Sequence, residues 1–369
     1  MKFFRRVMRT VWVSAVLSAA LAGVAAWADL RVDQANALLA KVGAGDKTAL
    51  ETLMTEARQG NAYAQSDLGI AYLSGKGVPR DYGQAAQWFR KAAEQGDDVA
   101  QYSLGLLYAK GQGVPQDYSQ AARWYRKAAE QENAIAQFSL GNFYAAGLGV
   151  PQNDSQAVRW YRKAAEQGSI EAQFNLGLGY AHGQGVPQDY GQAVRWYRKA
   201  AGQGDANALN NLGVLYANGQ GVSRNTVVAY ALYNLSAGQN TSSDDPAVNN
   251  RSSLAGGMTV QEVEAGQTLT RKMISMIRTD NDLLQPLDQY LAHPAVKERN
   301  QRAAVAMPDW SASGYPARPA KKPGVVSCNT HCFSGECYRT YDSGRHVHFQ
   351  APYKWNPLSG RMELDSGSC

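Results

Sequence analysis

Seven side chains near the C-terminus could do chemistry: Cys328, Cys332, Cys337 and Cys369, with His331, His346 and His348 among them. Thiolates and imidazoles are common zinc ligands, and paired thiols in an oxidising compartment close disulfides. Three residues separate Cys328 from Cys332 and four separate Cys332 from Cys337, which does not fit the usual paired ligand knuckles of zinc sites. The even count therefore reads as two disulfides with open connectivity, and zinc is the alternative. The segment Cys328-Asn329-Thr330-His331-Cys332 is not a haem-attachment sequence, which needs Cys-x-x-Cys-His.

Elsewhere the chain holds no Ser, His and Asp set, no G-x-S-x-G elbow, no H-E-x-x-H helix and no phosphate-cradling loop. Its repeated Gly-x-Gly-Val-Pro loops lack the lysine and the preceding strand that phosphate binding requires. Neither an enzymatic activity nor a cofactor is predicted.

The tail that holds the cysteines, 325–369, alternates like a small sheet. Tyr338 to Tyr341 and Arg345 to Phe349 flank Asp342-Ser343-Gly344, which suits a three-residue hairpin loop. If Tyr341 pairs with Arg345, Cys337, Val347 and Phe349 share one face, while Tyr338, Thr340, His346 and His348 share the other. The second face, with Tyr353 and Trp355 as stacking residues, would suit an envelope glycan such as peptidoglycan. A domain of about 45 residues needs staples, which the cysteines supply. Six prolines between Asn281 and Gly324 mark a linker ahead of it, with a short helix expected around Ala295 to Met307.

The larger part of the chain positions rather than reacts. Trp88, Trp124, Trp160 and Trp196 recur every 36 residues, each in nearly the same phrase. A fixed period of this length builds an elongated stack in which each unit touches only its neighbours. Five units align without a gap, starting at Ala62, Asp98, Ala134, Ile170 and Ala206 and ending at Thr241. Each predicts two helices. The first, helix A, carries Ala64, Leu68 and Tyr72 with Gly69 beside Leu68; a glycine recurring there implies close backbone approach. The loop Gly75-Lys76-Gly77-Val78-Pro79 breaks the helix, and Asp81 with Gln84 starts helix B, a device repeated at Asp117, Asn153 and Asp189. Helix B is expected to bury Ala85, Trp88, Ala92 and Ala93, with Gly96 as its stop.

The pattern A-x-x-x-L-G-x-x-Y, G-x-G-V-P, A-x-x-W-x-x-K-A-A-x-Q-G resembles the Sel-one-like repeat, a relative of the tetratricopeptide repeat, over about half the chain. That resemblance implies an all-α, right-handed solenoid of antiparallel helix pairs, used mostly as a scaffold for protein complexes. The β-lactam-binding activity discussed for some exported members rests on paired cysteines within each repeat. Repeats 62–241 contain none, so the activity is not carried over. Residues 29–61 read as an N-terminal helical cap in which Thr52 takes the tryptophan place. Residues 242–280 read as a C-terminal cap, with a capping box at Thr259 and Glu262.

Positions that vary between near-identical units are where specificity would lie. One helix A column reads Ser66, Tyr102, Phe138, Phe174 and Asn210, and its three aromatics suit a groove for a protein or peptide partner, or else fill space between helices. The neighbouring column Ile70, Leu106, Asn142, Leu178 and Val214 is open in the same way. The Arg-Lys pair after each tryptophan, reinforced by Arg123, Arg159 and Arg195, could steer an acidic partner along the stack, but it reads as a solvated face, offset by Glu94, Glu130 and Glu166 one turn later.

At the N-terminus, Lys2, Arg5, Arg6 and Arg9 precede an apolar run that ends in Ala26-Trp27-Ala28. This reads as a cleaved secretory signal over 1–28, placing the mature protein in a bacterial periplasm or outside the cell. Without it, 33 basic residues face 31 acidic ones, which argues against nucleic acid as a partner. No other apolar stretch is long enough to stay in a membrane.

Overall fold

Each helix of the five repeats begins on a side chain that accepts a backbone N–H. Asn61, Asp97, Asn133, Ser169 and Asp205 cap the A helices. Asp81, Asp117, Asn153, Asp189 and Asn225 cap the B helices. Each of these residues satisfies an N–H that the helix itself leaves unpaired. Every A helix then stops at a glycine in the left-handed region, for example Gly111 at φ 65°.

The structure, a computed structural model, describes residues 37–239, 245–277 and 283–297, and strands within 328–364. The signal read at 1–28, residues 298–327 and Cys369 lie outside the described residues. After α1 (37–43) and α2 (Lys47–Arg58) come the repeat pairs: α3 (Ala62–Ser74) with α4 (Tyr82–Glu94), α5 (Asp98–Lys110) with α6 (Tyr118–Glu130), α7 (Ala134–Ala146) with α8 (Asp154–Glu166), α9 (Ile170–His182) with α10 (Tyr190–Gly202), and α11 (Ala206–Asn218) with α12 (Thr226–Ala237). The closing helices are α13 (Pro246–Ala255), α14 (Val260–Ile277) and α15 (Gln285–Ala292). Each helix from α2 to α12 packs on the next, so the core is a continuous seam of alanines and leucines with at least one large buried ring in each repeat pair. No described helix is long and apolar enough to cross a membrane.

That ring corrects the sequence expectation. Phe89, Tyr125, Tyr161 and Tyr197 are the buried aromatics of the B helices, whereas Trp88, Trp124, Trp160 and Trp196, one position earlier, are half-buried. The reason lies in the facing helix. A Cβ on Gly69, Gly105, Gly141 or Gly177 would sit 2.5 to 2.8 Å from the buried ring of the same unit, so helix A opens a slot that only glycine leaves free. The tryptophan lies beside that slot and is covered from outside by its own lysine: Lys91, Lys127, Lys163 and Lys199 stand 4.2 to 4.7 Å from the ring centroids.

The loop glycines join units. Gly113, at φ 70°, lies so close to the backbone of Tyr82 in the preceding unit that any side chain would collide with it. A second joint is polar. Gln101 donates from Nε2 to the Ala93 carbonyl of the preceding unit at 3.1 Å and accepts from Gln131 Nε2 at 2.8 Å. The same two bonds recur at Gln65, Gln137 and Gln173. These glutamine side chains are buried and fully engaged.

The ends differ as a stack requires. Val42 and Leu53 close the first unit. α12, buried along most of its length, is covered by α13 and α14, and Gly266 of α14 leaves a slot for Tyr230. The Thr259 and Glu262 capping box forms reciprocally, at 3.0 and 3.2 Å. One boundary moves: the stretch read as linker from Asn281 contains α15, in which Pro286 and Leu287 are buried.

The chain divides into two compact units, Met1–Gln289 and Tyr290–Cys369. In the second, β1 (Cys328–Phe333), β2 (Glu336–Tyr341) and β3 (His346–Gln350) form an antiparallel sheet, and β4 (Tyr353–Asn356) pairs with β5 (Arg361–Leu364). Tyr338 stands opposite His348 and Thr340 opposite His346, the register expected from Tyr341 pairing with Arg345.

Candidate partner-binding face

The A helices carry the surface that could hold a partner. Tyr102, Phe138 and Phe174 are half-buried, each lying over the buried tyrosine of its own unit's B helix, with centroids 5.6, 5.8 and 5.9 Å apart. Their inner faces therefore pack and their outer faces remain open. Burial raises the Tyr102 pKa, and a hydrogen bond with Ser139 partly offsets it. Ser66 and Asn210, at the ends of the column, are tied down: Ser66 Oγ donates to Asp97 at 3.1 Å, and Asn210 accepts from Asn250 of α13 at 2.9 Å.

Three residues earlier on the same helices stands a column that sequence reading missed. Tyr63, Val99 and Ile135 are 38, 44 and 59% exposed, and the next two units place Glu171 and Asn207 there. Residues three and seven apart share a helix face. Val99, Tyr102 and Leu106 thus form one outward apolar stripe, continued by Ile135 and Phe138 on the next unit. The signal was available in the internal alignment, as an apolar place that turns polar after the third unit.

The residues read as a solvated basic face are mostly exposed, as that reading expects, and they are also engaged. Beside the lysines already stacked on tryptophan, Arg90, Arg126 and Arg162 donate to the hydroxyls of Tyr108, Tyr144 and Tyr180 in the following units, at 2.7, 2.8 and 2.6 Å. Arg198 continues the row but pairs with Asp288 of α15 at 2.6 Å, the ion pair found among the described residues. Burial works against its charge, yet the bond to Asp288 and the neighbouring Tyr216 hold its pKa above the usual guanidinium value.

The positions singled out in the tail fall on two ladders. Tyr338, His346 and His348 belong to the three-stranded sheet, while Tyr353 opposes Leu364 and Trp355 opposes Met362 in the two-stranded one. Cys332 stands directly opposite Cys337, and Cys328 opposite Tyr341. Among the described residues no group of three or more His, Cys, Asp or Glu is placed to hold a metal.

The family model for the Sel1 repeat matches residues 62–97, 98–133, 134–169, 170–205 and 206–240. A Sel1 repeat protein from Oxalobacter formigenes is 34% identical over 63% of this chain and 96% of its own, with a TM-score of 0.55. This chain belongs to the Sel1 repeat family. A protective antigen present in uropathogenic Escherichia coli strains, displaying an SLR fold, is 37% identical over 69% of this chain, with a TM-score of 0.54. The match spans 56% of that antigen's length. No curated protein matches the chain. Sel1 repeat proteins are in general non-catalytic scaffolds for protein interactions.

Proposed function

We propose that this Sel1 repeat protein is an exported, periplasmic scaffold that holds a protein or peptide partner along the outward face of its A helices. The observation that carries the reading is the stripe of Val99, Tyr102 and Leu106 with Ile135 and Phe138 on the second and third units, whose outermost place is also apolar at Tyr63 in the first unit and turns polar at Glu171 and Asn207 in the last two. Apolar residues scattered singly on a surface need no explanation, whereas a row repeated in register on adjacent units is a contact surface. The basic, apolar, Ala-x-Ala pattern of residues 1–28 supports export.

The experiment is affinity capture from a periplasmic extract of cells making the tagged full chain, comparing the natural protein with a Val99→Glu, Ile135→Glu double variant. Both side chains are exposed, so circular dichroism and the melting temperature should not change. Loss of a captured protein from the variant is the expected result. Equal capture by both proteins, or absence of the chain from the periplasmic fraction, would remove this reading.

A further inference from the structure

The row of Arg–Tyr pairs repeats one polar site at successive steps, and the chain itself fills one of them. At each step an arginine of one B helix donates to the tyrosine hydroxyl of the next unit's A helix. A guanidinium has five N–H donors and the tyrosine keeps its own O–H, so the pair still offers convergent donors to an anionic oxygen. At the fourth step that oxygen is present: Asp288 bonds Arg198 at 2.6 Å, and Tyr216 bonds the same arginine. Tyr216 is only 4% exposed, whereas the tyrosines of the other three steps are half-buried. Around Asp288, the side chains of Leu283, Leu284 and Leu287 are buried.

We propose that the three remaining Arg–Tyr steps read an acidic side chain flanked by leucines on a segment of a partner protein, for which residues 283–288 of this chain are the built-in template. The argument is one of chemical complementarity with an example in place. The Arg–Tyr pair whose arginine holds Asp288 recurs at 36-residue intervals, and among the described residues no carboxylate pairs with the earlier three arginines. The inference rests on the scaffold reading and specifies the partner's chemistry.

The test uses the full chain and a fluorescently labelled peptide of residues 283–292, followed by anisotropy, beside the same peptide with Asp288→Asn. Because Arg126 is half-buried while Arg90 and Arg162 are exposed, a charge-assisted bond should make the acidic peptide bind roughly three- to tenfold more tightly than the amide peptide. An Arg90→Ala, Arg126→Ala, Arg162→Ala protein should lose that preference while its circular dichroism stays the same. Equal binding of the two peptides, no binding of either, or undiminished preference in the triple variant would overturn the proposal. So would dimerisation of the full chain by light scattering that Asp288→Asn abolishes, because a second copy would then be the occupant. If the peptide fails while Val99→Glu, Ile135→Glu still abolishes capture, the scaffold reading stands without this refinement.

Discussion

Asp67 occupies the place held by Ser103, Ser139, Asn175 and Asn211 in the later units, and it is the carboxylate of that column. It is buried, its Oδ2 finds no hydrogen-bond partner, and Asp97 stands nearby. Desolvation first, and repulsion from Asp97 second, raise its pKa to about 6. A carboxyl whose pKa is raised on folding holds its proton in the folded chain after the unfolded chain has released it. Between about pH 4 and pH 6 the native state thus binds more protons, and stability falls as pH rises through that window. Asp67→Asn removes the cost that is fully present above pH 6, so the variant should be more stable than the natural protein at pH 7.5 by about 1–2 kcal/mol and indistinguishable from it near pH 4. Urea melts at both pH values measure this, and a variant less stable at pH 7.5 would contradict the assignment. Nothing in the repeat pattern disclosed this carboxylate, because its effect depends on what lies over it rather than on its spacing.

At the scale of the helix pair, spacing sufficed for some features and not for others. The caps at Asp81, Asp117, Asn153 and Asp189 and the capping box at Thr259 were legible because capping is local chemistry. The buried aromatic was not. Residues 88 and 89 differ by 100° around the helix, and both lie near the face marked by Ala85, Ala92 and Ala93; the slot over Gly69 decides between them, and it belongs to another helix. The outcome can be measured in the middle of the stack. Tyr125→Ala should cost about 3–5 kcal/mol because it empties a closed slot, whereas Trp124→Ala, on a half-buried ring, should cost about 1–2 kcal/mol. Thermal or urea unfolding of the two variants checks the order, and an equal or inverted pair of values would refute it.

For the molecule as a whole, the 36-residue period carried the solenoid, since a stack repeats its contacts from unit to unit. α15 was not legible: a short segment with Pro286 in its first turn and Pro294 just after it reads as linker, and what holds it is the burial of Leu284 and Leu287 with the bond from Arg198, ninety residues away. The tail strands followed from alternation, but Cys369 and residues 298–327 lie outside the described residues. Near-independence of units also sets what deletion does. Removing residues 98–133, one complete repeat, should leave a cooperative melt and unchanged ellipticity per residue, with a melting temperature lower by roughly 3–10 °C. Collapse of the melt would mean that coupling runs beyond nearest neighbours.

The glutamine joint has a further consequence. Gln65, Gln101, Gln137 and Gln173 meet the preceding helix with the same donor, the same carbonyl and no charge. Each of the first three units therefore presents the same plug and socket on either side, indifferent to salt and acidity. Repeat number becomes a dial for reach: adding or losing a unit changes the distance between the two capped ends by one fixed step, and creates no mismatched seam for selection to repair.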